Sequence, residues 1–133
     1  MILLLGSEPI VRAVMKEALE QAGYVVLATG SLGKAVDALA DSRFELLITV
    51  PYVDNITGHE AAKYLRGKNP LMGVLIVTGF LDDDRLQYRA GIEGFDLFPA
   101  PYTAAQLIEK VEEVLKATQE RAVRHSKMTS RRV

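Results

Sequence analysis

The stretch Phe44-Glu45-Leu46-Leu47-Ile48-Thr49-Val50, followed at once by Pro51, decides how this chain folds. Residues 45–50 are leucine-rich and β-branched with no clean polar alternation, the pattern of a strand buried on both faces of a parallel sheet. Open α/β sheets place ligands and chemistry just beyond the carboxyl ends of their strands. The residue at that end is Val50. Valine cannot ionise, accept a phosphoryl group or ligate a metal, so the position best placed for chemistry carries none.

Outward from this strand, the pattern alternates. Ile2–Leu5 is a short apolar run closed by Gly6 and predicts a first strand. Ser7 is placed to cap the following helix, with Glu8-Pro9 in its first turn. Ile10, Val11, Val14, Met15, Ala18 and Leu19 share one apolar face, and Gly23 is the stop. Tyr24–Ala28 predicts a second strand, and Gly30-Ser31 opens a second helix with Leu32, Ala35, Val36 and Leu39 facing inward.

Beyond the central strand, residues 51–57 are expected to form a loop leading through Gly58 into a third helix that ends near Arg66. Gly67-Lys68-Asn69-Pro70 is a turn signal, and Val74–Thr78 a fourth strand. Asp82-Asp83-Asp84 suits the N-terminus of a fourth helix, where acids are favourable, better than it suits a metal cluster. Phe95–Phe98 is a fifth strand, and Thr103-Ala104-Ala105-Gln106 a capping box for a last helix with Leu107, Ile108, Val111, Val114 and Leu115 inward. Five strands alternating with five helices predict an α/β fold, a parallel sheet with helices on both faces. Short turns leave one domain over residues 1–117. From 118 to 133 the composition turns basic, with Arg121, Arg124, His125, Lys127, Arg131 and Arg132, and predicts either a helical extension or a flexible, solvated tail.

Composition narrows the function classes. The chain has 133 residues, 49% hydrophobic and 25% charged, enough for one well-buried globular core. A formal net charge of −1 argues against a nucleic-acid footprint over the whole chain. With no cysteine, disulfides, thiolate metal sites and cysteine nucleophiles are excluded. His59 and His125 lack ligand spacing, so no metal and no cofactor is expected. Met1–Leu5 is too short for a signal segment, and no apolar run approaches the ~18 residues of a membrane span. The expectation is a cytoplasmic protein with no membrane partner.

The ordered pieces resemble the receiver domains of two-component response regulators over about residues 1–117. Ile2-Leu-Leu-Leu-Gly-Ser-Glu-Pro-Ile-Val-Arg12 is similar to the family's opening strand, acidic pair and helix start. Asn55-Ile56-Thr57-Gly58 matches the loop after the third strand, and Val74–Thr78 resembles the strand that carries the family's hydroxyl residue. Ala100-Pro101-Tyr102 is similar to the Lys-Pro-aromatic turn before the last helix. The resemblance implies a doubly wound, flavodoxin-like sheet of five strands in the order 2-1-3-4-5, and a cis bond before Pro101.

The family's chemistry uses an acceptor aspartate, an acidic pair that helps to hold magnesium, a lysine and a switch hydroxyl. Carried over, the acceptor falls on Val50, the pair on Gly6 and Ser7, the lysine on Ala100 and the switch aromatic on Leu97. Thr78 alone matches, as the hydroxyl. Loss of the charged groups together implies a degenerate, stand-alone receiver that is not an enzyme and acts by protein–protein contact. The resemblance places the partner surface on residues that include Tyr88, Leu97 and Tyr102, and the partner among histidine kinases, response regulators and output domains. Homodimerisation is compatible with the free sheet edges. Two rivals stand beside this reading. One is an acceptor built on an unorthodox acid, Glu8 or Asp54; the other is a small-anion binder at Gly6-Ser7.

Overall fold

Successive residues of a strand point to opposite faces, so a run apolar at every position needs cover on both sides. Two such runs form the centre of the computed structural model, which describes residues 1–49, 52–53, 56–78, 94–99 and 102–130. They are β1 (Ile2–Leu5) and β3 (Leu46–Thr49), and every residue of both is buried. The other elements in chain order are α1 (Pro9–Gln21), β2 (Val26–Thr29), α2 (Leu32–Asp41), β4 (Tyr52–Val53), β5 (Ile56–Thr57), α3 (Gly58–Lys68), β6 (Gly73–Thr78), β7 (Asp96–Pro99) and α4 (Ala104–Ser130).

The main sheet is parallel, in the order β2-β1-β3-β6-β7, which is 2-1-3-4-5 when only its own strands are counted. Strand alternation splits its core in two. Leu3, Leu5, Leu47, Val74 and Ile76 pack with Ala35, Ala61, Ala62 and Leu65 of α2 and α3. Ile2, Leu4, Leu46, Ile48, Leu75 and Val77 pack with Met15, Leu19, Leu107, Val111 and Val114 of α1 and α4. The doubly wound fold implied by the resemblance is therefore the observed one. The fourth helix expected from Asp82 lies outside the described residues.

Local chemistry explains most helix ends. Gly23, at φ +98°, takes the left-handed conformation that closes α1, and the Tyr24 amide donates to the Leu19 carbonyl. Ser31 Oγ accepts from the Lys34 amide at the start of α2, and Thr57 Oγ1 from the Glu60 amide at the start of α3. Thr103 and Gln106 form the reciprocal capping box: each side chain accepts from the other's amide, at 3.1 and 2.9 Å.

Three expectations are corrected. Ser7 does not cap α1; Glu8 is the N-cap, without a side-chain cap bond, because Pro9 takes the first helical position with its fixed φ. Residues 52–57 are not all loop, since Tyr52-Val53 and Ile56-Thr57 pair antiparallel as a small ribbon. The signal was two β-prone dipeptides flanking Asp54-Asn55. The apolar face of α1 is also wider than its buried part. Met15 and Leu19 meet the sheet, while Ile10 and Val14 stay 80% and 62% exposed.

Helix α4 continues through Thr118 to Ser130. Among the described residues no helix is long and apolar enough to cross a membrane. Thr118 of α4 is buried, with its Oγ1 over Gly73 at the start of β6 and Val114 Cγ1 beside it. A Cβ on residue 73 would collide with that hydroxyl. Gly73→Ala is expected to destabilise the fold by about 1–3 kcal/mol in urea unfolding. Adding Thr118→Ala should recover most of the loss; an additive double mutant would show that the two residues do not share the space.

Candidate functional site

The parallel register brings the carboxyl ends of the central strands level. Leu5 pairs with both Thr29 and Thr49, Thr49 with Ile76, and Ile76 with Leu97. Beyond this row lies the crevice where a doubly wound fold keeps its chemistry. Its described walls are Gly6 and Ser7 after β1, Thr29 at the end of β2 with Gly30 after it, and the wholly buried Thr49 at the end of β3. The Gly6 amide donates to the Thr29 carbonyl at 3.0 Å, and Thr29 Oγ1 accepts from the Ser31 amide at 3.2 Å. Those bonds tie the turns of β1 and β2 together. Val50 follows Thr49 directly in the chain, but it, Asp54, Ala100, Pro101 and Tyr88 lie outside the described residues. The cis bond before Pro101 lies outside them too. Thr78 closes β6 opposite Pro99.

Among the described residues, the side chain of Arg12 brings a charge to the turn after β1. Arg12 is the fourth residue of α1, and helical side chains lean back toward the N-terminus. Its Nη1 donates to the Gly6 carbonyl oxygen at 2.5 Å. The guanidinium also fills the space above Gly30, where a Cβ would come within 2.6 Å of Nη1 and 3.3 Å of the Gly6 oxygen. A glycine at residue 30 is what lets the cation lie down here. The available signal was Arg12 one turn into a helix whose N-terminus faces the strand ends.

This arrangement tests the magnesium ion that the resemblance implies. Magnesium needs hard, preferably anionic oxygens in near-octahedral geometry. The turn after β1 offers a glycine and a serine, and a guanidinium already occupies its carbonyl. A fixed positive charge at that point repels a divalent cation. Among the described residues no group of three or more histidines, aspartates or glutamates lies close enough to hold a metal. The described residues do not fit magnesium. Glu8, the nearest acid in sequence, is exposed at the helix cap.

The other predicted residues are not gathered at one point. Leu97 is half-buried and packs on the α2–α3 side of the sheet, whereas Tyr102 packs on the α1–α4 side. The Tyr102 ring tilts against Phe98 with centroids 4.9 Å apart, and burial pushes its phenol above the ordinary tyrosine value. His59 is buried in α3 with its ring 5.5 Å from that of Phe95, and the His125 side chain lies outside the described residues.

A family model of the response regulator receiver domain matches residues 2–112. The chain is similar to a CheY-like response regulator receiver domain protein of Methanospirillum hungatei JF-1, with a TM-score of 0.81 and 21% identity over 90% of this chain and 96% of that one. A response regulator receiver protein of Sinorhizobium medicae WSM419 is 26% identical at a TM-score of 0.75, over 88% and 94%. The receiver domain of NtrX from Brucella abortus gives 0.79 at 19% identity, over 87% and 98%. No curated protein matches the chain.

Millimolar magnesium is expected to leave the amide resonances of Gly6, Ser7 and Thr49 unmoved in heteronuclear NMR. Saturable shifts confined to those amides would reveal a metal site that the donor set does not suggest.

Proposed function

The chain belongs to the response regulator receiver domain family of two-component signalling, and from that premise we propose that it signals by protein–protein contact, without aspartyl phosphorylation. The observation that carries this reading is the charge content of the strand-end crevice. Phosphoryl transfer to an aspartate needs an acceptor carboxylate, anionic oxygens for a metal and a cation for the product, because catalysis there is positioning plus charge stabilisation. The positions that correspond hold Val50, Gly6, Ser7 and Ala100. Among the described residues a cation, Arg12, is held on the backbone carbonyl of Gly6 in the turn after β1.

The rival built on an unorthodox acid finds no support at Glu8, whose side chain is exposed at the α1 cap. A phosphoryl group carries about −1.5 to −2 charge near neutral pH, and position 100 no longer offers a lysine to balance it. On this reading the working parts are surfaces. The edge formed by β7 and α4 carries Asp96 and Glu113, both within 3.6 Å of Lys110 Nζ. A signalling partner such as a histidine kinase, another response regulator or an output domain would read that surface in its one resting shape, biased by whatever binds it best.

Incubation of the whole chain with magnesium and acetyl phosphate is expected to leave its intact mass unchanged. Val50→Asp alone should also stay unmodified, since the metal-binding acids and the lysine are still missing. A base-labile, stoichiometric phosphoryl adduct on the wild-type chain would overturn the proposal. An adduct on Val50→Asp only would place the defect in the acceptor and leave the rest of the machinery competent.

A further inference from the structure

Helices α1 and α4 cover the same face of the sheet, and between their first turns a cavity of about 250 Å³ stays open. Met15 and Leu107, both buried, form its floor. Ile10 and Val14, which the core leaves exposed, stand at its rim with Tyr102. No charged residue belongs to the described lining, and Tyr102 alone brings a side-chain oxygen to it. That hydroxyl makes no hydrogen bond among the described residues, and burial raises its pKa above the ordinary tyrosine value. The apolar stretch is also short. On the stripe of α1 that begins with Ile10 and Val14, the next residues are Glu17 and Gln21, whose side chains bond each other at 3.3 Å. From Ile10 to Ala18 the groove runs about 12 Å along the helix.

We infer that this groove is a binding site for an uncharged small molecule, a single ring or short alkyl chain bearing one hydroxyl. The apolar part lies over Met15 and Leu107, and the hydroxyl meets that of Tyr102. Size selects this class of occupant. An apolar cavity of about 150 Å³ accepts benzene, so the larger space here takes a ring with a short tail. A protein partner needs roughly 20–30 residues a side, and a helix laid in a groove needs apolar anchors at successive turns. The apolar stripe of α1 gives way to the Glu17–Gln21 pair after little more than one turn, too soon for either. Charge selects the same way. An ion would lose its water against a lining with no charge to replace it. Glu8 and Glu17, both exposed, bracket the groove along α1 and disfavour an anion further. The Tyr102 ring also tilts against Phe98, so an occupant touches the turn that joins β7 to α4.

Titration of the whole chain with 4-propylphenol, followed by methyl NMR, should give saturable shifts at Ile10, Val14, Met15 and Leu107. The midpoint is expected on the order of 1 mM or below. Tyr102→Phe should raise it about two- to tenfold, the worth of one hydrogen bond. Propylbenzene, which has no hydroxyl, should shift the same methyls equally in wild type and Tyr102→Phe. Val14→Asp and Ile10→Ser, both at exposed positions, should each weaken binding of the two compounds by about tenfold or more. The inference is overturned if these methyls show no saturable shift, or if any of the three variants binds the phenol as wild type does. Methyl shifts that depend on protein concentration without added ligand would assign the groove to a second copy. Ligand shifts spread along α1 as far as Gln21 would make it a merely adhesive surface. Either result would also overturn the inference.

Discussion

The whole architecture depends on strands that have no wet side. β1 and β3 are buried at every position, and their side chains alternate between two separate clusters above and below the sheet. A sheet of this kind cannot exist as an antiparallel ribbon with one face in water; it needs a helical layer on each side. Crossover connections supply those layers and force the strands parallel. The parallel register then levels the strand ends, which is why Gly6, Thr29 and Thr49 come to line one crevice although they are far apart in the chain. Burial of leucine and isoleucine thereby places the site, whatever the site goes on to do.

What occupies that crevice inverts the expected electrostatics. A cluster of carboxylates at a strand end is costly to fold, because like charges share a partly desolvated space. Here the turn after β1 is neutral, and a guanidinium rests on its carbonyl above a glycine. Such a pocket costs the fold little and gives a metal no reason to bind. The scaffold and the chemistry are separable: one is held by the two apolar clusters, the other by a handful of ionisable side chains, and replacing the second leaves the first intact. This is why likeness in fold alone says little about phosphorylation.

Helix α4 has two unlike faces. The inner one is largely apolar and includes Thr118, fitted over Gly73. The outer one is charged and continues past the end of the core, acidic first and basic later.

By itself the sequence determined the class of fold, through the double-sided apolar run at Leu46–Thr49 and the alternation of strand and helix around it. It also determined most helix ends, because glycine, serine, threonine and proline act within one turn of where they stand: Gly23, Ser31, and the Thr103–Gln106 box are local devices. That residues 6, 7, 50 and 100 are glycine, serine, valine and alanine, none of them ionisable, is likewise a matter of residue identity. Tertiary structure alone decided the rest. That Ile10 and Val14 remain exposed while Met15 and Leu19 are buried depends on how α1 is rotated against the sheet, which periodicity cannot supply. That Leu97 and Tyr102 lie on opposite sides of the sheet follows from alternation across β7 and the turn into α4. And Arg12, unremarkable as one basic residue in a helix, gained its place only when the crossovers brought Gly6 and Gly30 together beneath it. Local signals are written in neighbouring residues; contacts between distant ones come into being only when the sheet closes its register.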